Sequence, residues 1–133
     1  MKPVFADAFY FIALLNSDDA ANARAGEFTQ EYSGRYVTTS AVLMELADAL
    51  SQPNSRLVAG KFIEDLSANK AIKIVFVDET LFQAGLGLYL ARPDKDWSLT
   101  DCISFVVMQR EGSSEALTGD KHFEQAGFVA LLK

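Results

Sequence analysis

The chain has 133 residues, 50% of them hydrophobic, one cysteine and a formal net charge of −6. That length and apolar share suit one compact domain over residues 1–133 with its own core, and a lone cysteine excludes an internal disulfide. The acidic balance excludes a protein that coats nucleic acid by bulk counter-charge, but not a nuclease that brings a cation to its substrate.

The N-terminal segment MKPVFADAFYFIALLNSDD has a single lysine, acids inside or just after its apolar run and no small-residue cleavage site. It does not read as a signal peptide. No apolar stretch approaches the roughly 20 residues of a membrane span, so the chain reads as cytoplasmic. Within this segment a short buried strand is predicted from Val4 to Ala6, followed at once by a helix to about Asn16, with Asp7 at the junction. A second helix is predicted from Ala20 to Tyr32, ended by Ser33 and Gly34, and Tyr36 to Thr38 then reads as a strand. Thr39 or Ser40 caps the next helix, AVLMELADALS, which stops before Pro53.

Arg56 to Ser67 has helical periodicity, with Leu57, Phe62, Ile63 and Leu66 expected to face inward. The run IKIVFV is the clearest strand, and Asp78 or Thr80 begins the helix through LFQAGLGLYL. After the polar loop RPDKDWSLT comes a helix, SLTDCISFVVMQRE, apolar on nearly every side until Gln109 and therefore central. Its Cys102, among Ile103, Phe105 and Val106, reads as a small core residue. EALTGD gives a short strand ending near Thr118, KHFEQAG a short helix closed by Gly127, and FVALL a last strand. Strands alternating with helices imply a three-layer α/β/α sandwich with a mainly parallel central sheet. Ligands of such sheets gather beyond the carboxyl ends of the strands, the edge from which Asp7 and Asp120 should emerge.

Four acids, Asp7, Glu45, Asp101 and Asp120, each adjoin an apolar stretch. Burying an ionised carboxylate costs several kcal/mol on the order-of-magnitude scale for buried ions, and grouping four adds repulsion that a hard cation removes. Each acid also has an ordinary explanation. Asp7 and Asp120 suit helix N-caps, Glu45 suits the edge of an apolar stripe, and Asp101 suits a first helical turn capped by Ser98 or Thr100. One metal site accounts for all four together. Arg92, Lys95, Lys121 and His122 are candidate sources of local positive charge. His122, the only histidine, reads first as solvated on a short surface helix, with a phosphate contact as the alternative. Trp97 reads first as an anchor for the helix that follows it, and otherwise as a base-stacking ring. Phe5, Phe9, Tyr10 and Phe11 read as core, any exposed part serving a protein contact.

Other acid-rich α/β enzymes fit less well. A ribonuclease H-like fold needs several successive strands before its glutamate helix, whereas a helix follows the first strand here. A haloacid-dehalogenase-like phosphatase wants an aspartate where Phe9 stands. A receiver domain wants a late strand-end lysine, but Lys121 follows another acid.

The strings FADAFYFIALLN, TTSAVLMELADAL, WSLTDCISFVVM and ALTGDKHFEQAGF resemble the PIN-domain family in order and context, over nearly the whole chain. They are especially similar to its small bacterial VapC-like toxins. The resemblance implies a three-layer α/β fold and a Mg2+- or Mn2+-dependent endoribonuclease, often dimeric and often held by a cognate antitoxin protein. It also implies that Asp7, Glu45, Asp101 and Asp120 are the catalytic, metal-holding acids, with Thr100 and Thr118 in support. On this view Asp7, Asp101 and Glu45 hold one ion, and Asp120 helps place a second ion or the attacking water. A stand-alone RNA-processing nuclease and a non-catalytic interaction module of the same fold remain as alternatives.

Overall fold

The computed structural model describes residues 2–133. Its sheet grows outward from the first strand, β1 (Val4–Ala6), whose three residues are all buried. Because successive strand residues point to opposite faces, full burial of the three requires both faces of the sheet to be covered. The helices that follow β1 are α1 (Ala8–Leu15) and α2 (Asn22–Glu31); β2 (Tyr36–Thr39) then leads to α3 (Ser40–Ala49) and α4 (Arg56–Ala68). The remaining order is β3 (Ile72–Val75), α5 (Glu79–Ala91), α6 (Leu99–Glu111), β4 (Glu115–Leu117), α7 (Lys121–Gln125) and β5 (Val129–Ala130). All strand pairs are parallel, in the order β3-β2-β1-β4-β5, so the expected α/β sandwich is the observed fold. Among the described residues, no helix is long and apolar enough to cross a membrane.

The strand order places the site. From β1 the chain builds one side of the sheet through β2 and β3, then returns to build the other through β4 and β5. The reversal falls between β1 and β4, and a crevice opens at such a point beyond the carboxyl ends of the two strands. Pairing of Phe5 with Ala116 and of Ala6 with Leu117 brings Asp7 and Thr118, the residues just past those ends, side by side. Phe123 of α7 is fully buried, with its ring 5.0 Å from Phe105 of α6 and 6.1 Å from Phe5. These contacts fix the turn before α7 against both β1 and α6.

Several elements differ from the sequence expectations. The IKIVFV strand ends at Val75, because its partner β2 ends at Thr39, which turns away to cap α3 by accepting the Val42 N–H. Phe76 is consequently exposed, and the Val77 N–H donates to Ser40 Oγ. The final strand shortens to Val129–Ala130. Helix α2 starts at Asn22 rather than Ala20, since Asp19 holds the Ala21 N–H in a preceding turn. Leu57 does not face inward: it is 82% exposed, and the residues α4 buries are Ala59 and Leu66, with Phe62 and Ile63 half-buried. Helical period identifies a stripe, but here the neighbouring elements cover only part of it.

Candidate metal and active site

The turn from Thr118 to His122 is the hub of the site. Thr118 is fully buried; its Oγ1 donates to Asp7 Oδ2 at 2.8 Å and accepts the Asp120 N–H at 3.1 Å. Asp120 caps α7 by accepting the His122 N–H at Oδ1, 2.9 Å. The ring of His122 reaches across to α6, with Nδ1 2.9 Å from Asp101 Oδ2 and 3.5 Å from Asp120 Oδ1. Three aspartates from distant parts of the chain are thereby tied by one five-residue segment.

Asp7 stands at the N-cap position of α1 but makes no side-chain cap bond within the helix start. Its carboxyl is spent on Thr118 instead. Burial pushes it up to about 7, against the lowering effect of the Thr118 hydroxyl and the Ala8 backbone N–H, and the negative charges of Glu45 and Asp101 push the same way as burial. Asp101 does fill the ordinary role that its position suggests. Ser98 Oγ accepts the Asp101 N–H at 3.0 Å while Asp101 Oδ2 accepts the Ser98 N–H at 3.2 Å, a reciprocal capping box. Ser98, not Thr100, is thus the cap. The same Oδ2 also meets His122, so capping and site membership coexist.

Glu45 extends from α3 with much of its surface in water. Partial burial raises its carboxyl, and Asp101, Asp120 and Asp48 raise it further, which places it within the field of the aspartate cluster. Thr100 is half-buried and lines, with Ala41, Met44, Glu45 and Asp48, an open hollow of about 270 Å³. No side-chain hydrogen bond joins Thr100 to the acids among the described residues.

The tightest grouping among the described residues includes one residue beyond the four expected acids. Asp101, Asp120 and His122 each offer a ligand atom, all within 4.8 Å of one another, and each is half-buried. Asp7 joins through Thr118, and Glu45 through charge. The His122 ring bridges the close pair, with Nδ1 2.9 Å from Asp101 Oδ2 and 3.5 Å from Asp120 Oδ1. A donor set dominated by carboxylates fits a hard divalent cation, and the Asp7 and Glu45 carboxyls, raised first by burial and further by the neighbouring acids, are groups whose charged form such an ion would favour.

Contrary to the expectation for a lone histidine on a short surface helix, His122 is not solvated. Its side chain is 19% exposed and bonded into the cluster. The sole available signal was its position two residues after Asp120 and one before an apolar Phe123. Trp97 is the expected anchor: it is buried, its ring lies 5.1 Å from that of Phe105, and its Nε1–H donates to Gln125 Oε1. Arg92 lies over the Trp97 ring and pairs with Asp94 rather than with the acids of the site.

The model of the PIN domain matches residues 4–129 of the chain. In three dimensions the chain is similar to the crystal structure of Mycobacterium tuberculosis VapC20, a sarcin-ricin loop cleaving toxin, with a TM-score of 0.86 and 23% identity. The match covers 95% of this chain and 96% of that one. At that identity the likeness speaks for the fold. No curated protein matches the chain.

Proposed function

Because the chain belongs to the PIN-domain family, we propose that it is a metal-dependent endoribonuclease that hydrolyses RNA phosphodiester bonds, acting as the toxin of a VapBC-like pair. Asp7, Glu45, Asp101 and Asp120 are its catalytic and metal-holding acids, and Thr100 and Thr118 support them. The observation that carries this reading is the single turn that ties Asp7, Asp101 and Asp120 beyond the ends of β1 and β4.

A bound Mg2+ or Mn2+ supplies Lewis acidity toward the phosphodiester and makes water acidic enough to attack near neutral pH. Asp101 and Asp120 are the closest carboxylates available to hold it. Each keeps one oxygen that receives no hydrogen bond among the described residues: Oδ1 of Asp101 and Oδ2 of Asp120. Thr118 fixes Asp7 through Oδ2 and so sets the direction of its second oxygen. With its carboxyl near 7, Asp7 can give up its proton at neutral pH when positive charge is brought beside it. Without such charge, four acids repel a phosphate.

The partners that accompany this reading are an RNA substrate, an antitoxin protein and a second copy of the chain. Exposed Leu57 and Val58, beside Leu15 and Phe62, offer apolar surface for a protein contact. Cleavage assays and Mn2+ calorimetry on the parent, Asp7→Asn and Asp101→Asn test the core of the proposal. Both variants are expected to lose RNA cutting and to weaken Mn2+ binding with circular dichroism unchanged. In a bacterial host, the parent should arrest growth and Asp101→Asn should not. Variants that cut RNA as well as the parent would refute the assignment, and a harmless parent that still cuts RNA would remove the toxin role alone.

A further inference from the structure

We propose that His122 is a positioning residue of the site, its ring donating a hydrogen bond from Nδ1 to Asp101 so that Asp101 presents its other oxygen to the cation. The inference rests on the metal-dependent nuclease reading and adds a residue to it.

The geometry fixes the direction of the bond. Nδ1 lies 2.9 Å from a carboxylate oxygen, Asp101 Oδ2. A carboxylate accepts and does not donate, and a bare ring lone pair at that distance would face the oxygen's own lone pairs. Nδ1 therefore carries hydrogen. A ring nitrogen engaged in this way is not free to bind a metal, so Nδ1 acts on the site as a donor that orients Asp101 and not as a ligand atom beside the two carboxylates.

Asp101 Oδ2 then has two donors, the Ser98 N–H at 3.2 Å and the His122 ring, while Oδ1 has none among the described residues. The arrangement selects which oxygen is left for the ion. Both side chains are largely shielded, at 19% exposure for His122 and 15% for Asp101, so water competes little for this bond. His122 also holds Asp120, but through its backbone N–H. The two contacts can be separated, because a side-chain substitution removes the first and leaves the second. Phe123, buried beside Phe105, keeps the backbone in place when the ring is changed.

As the only histidine of the chain, His122 gives the sole imidazole signal in a two-bond 1H–15N correlation spectrum. The neutral ring of the metal-free parent is expected to carry its proton on Nδ1, and Asp101→Asn to shift that resonance. In Mn2+ calorimetry, His122→Ala should lose about 10- to 100-fold in affinity, the range typical of groups that orient metal ligands. His122→Asn, whose side-chain amide can place an N–H near the position of Nδ1, should recover most of the loss, and His122→Gln should not. A neutral ring protonated on Nε2 alone, or an Ala variant that binds Mn2+ like the parent, overturns the inference and leaves the nuclease reading standing. Equal loss in the Ala and Asn variants overturns it too, since the ring would then act as a ligand. A parent that binds no Mn2+ overturns the nuclease reading and this inference together. Should His122→Ala fail to fold, the spectrum of the parent still decides.

Discussion

Asp7 carries the heaviest electrostatic burden in the site, and that burden is measurable. Its carboxyl titrates near 7 in the folded chain, against 3.8 as the ordinary value, so the native state holds the proton more tightly than the unfolded state does. Stability contributed by the neutral form is present at low pH and is lost as pH rises from about 4 through about 7. A rise of about three units corresponds to about 4 kcal/mol at most. Asp7→Asn, studied in chelator, is therefore expected to stabilise the fold by about 2–4 kcal/mol above pH 7, with the gain vanishing toward pH 4. Denaturant titrations at several pH values check this, and a gain independent of pH would contradict it. An acid set against apolar residues asks for a reason, which is what singles out Asp7, Glu45, Asp101 and Asp120 in the sequence. His122 offered no such sign. Its decisive partner, Asp101, lies 21 positions earlier, and only the packing of α7 on α6 brings the two together.

Among the elements, helices α5 and α6 pack tightly at Gly85, where the absence of a Cβ leaves room for Ile103. A Cβ on Gly85 would overlap Ile103 Cγ1, whereas one on Gly87, in the same helix, would meet nothing within 4 Å. Gly85→Ala is expected to cost roughly 1–3 kcal/mol through overpacking. Gly87→Ala should instead gain up to about 1 kcal/mol from helix propensity. Urea unfolding of the two variants reads the sign directly, and a stabilised Gly85→Ala would show that the helices can separate freely. Since α6 carries Asp101 and is capped by Ser98, such a separation would also disturb the capping box. Element types were readable from periodicity and caps; Thr39, Asp78 and Ser98 cap the helices that the sequence assigned to them or their neighbours. Ends and faces were less so. IKIVFV loses its last two residues because a strand extends only as far as its partner, and Leu57 is exposed because no element covers that side of α4.

For the molecule as a whole, net charge and site charge act in the same direction. At −6 the chain has no surplus of cations to condense on a phosphate backbone, so any affinity for RNA must come from a local source. Fluorescence anisotropy with a cleavage-resistant RNA at low ionic strength is expected to show no binding in chelator and saturable binding once Mg2+ or Mn2+ is added. Equally tight binding in chelator would mean that lysines and arginines suffice. Parallel topology was predictable from the alternation of strands and helices, but not the strand order, which depends on long-range pairing. That order has a consequence during synthesis. The hydroxyl of Thr118 reaches Asp7 across 111 positions, and β4 must lie beside β1 before it can do so. A growing chain emerges from the ribosome with Asp7 and Asp101 already made and the tie between them still missing. Fragments released early would therefore lack the assembled acid cluster.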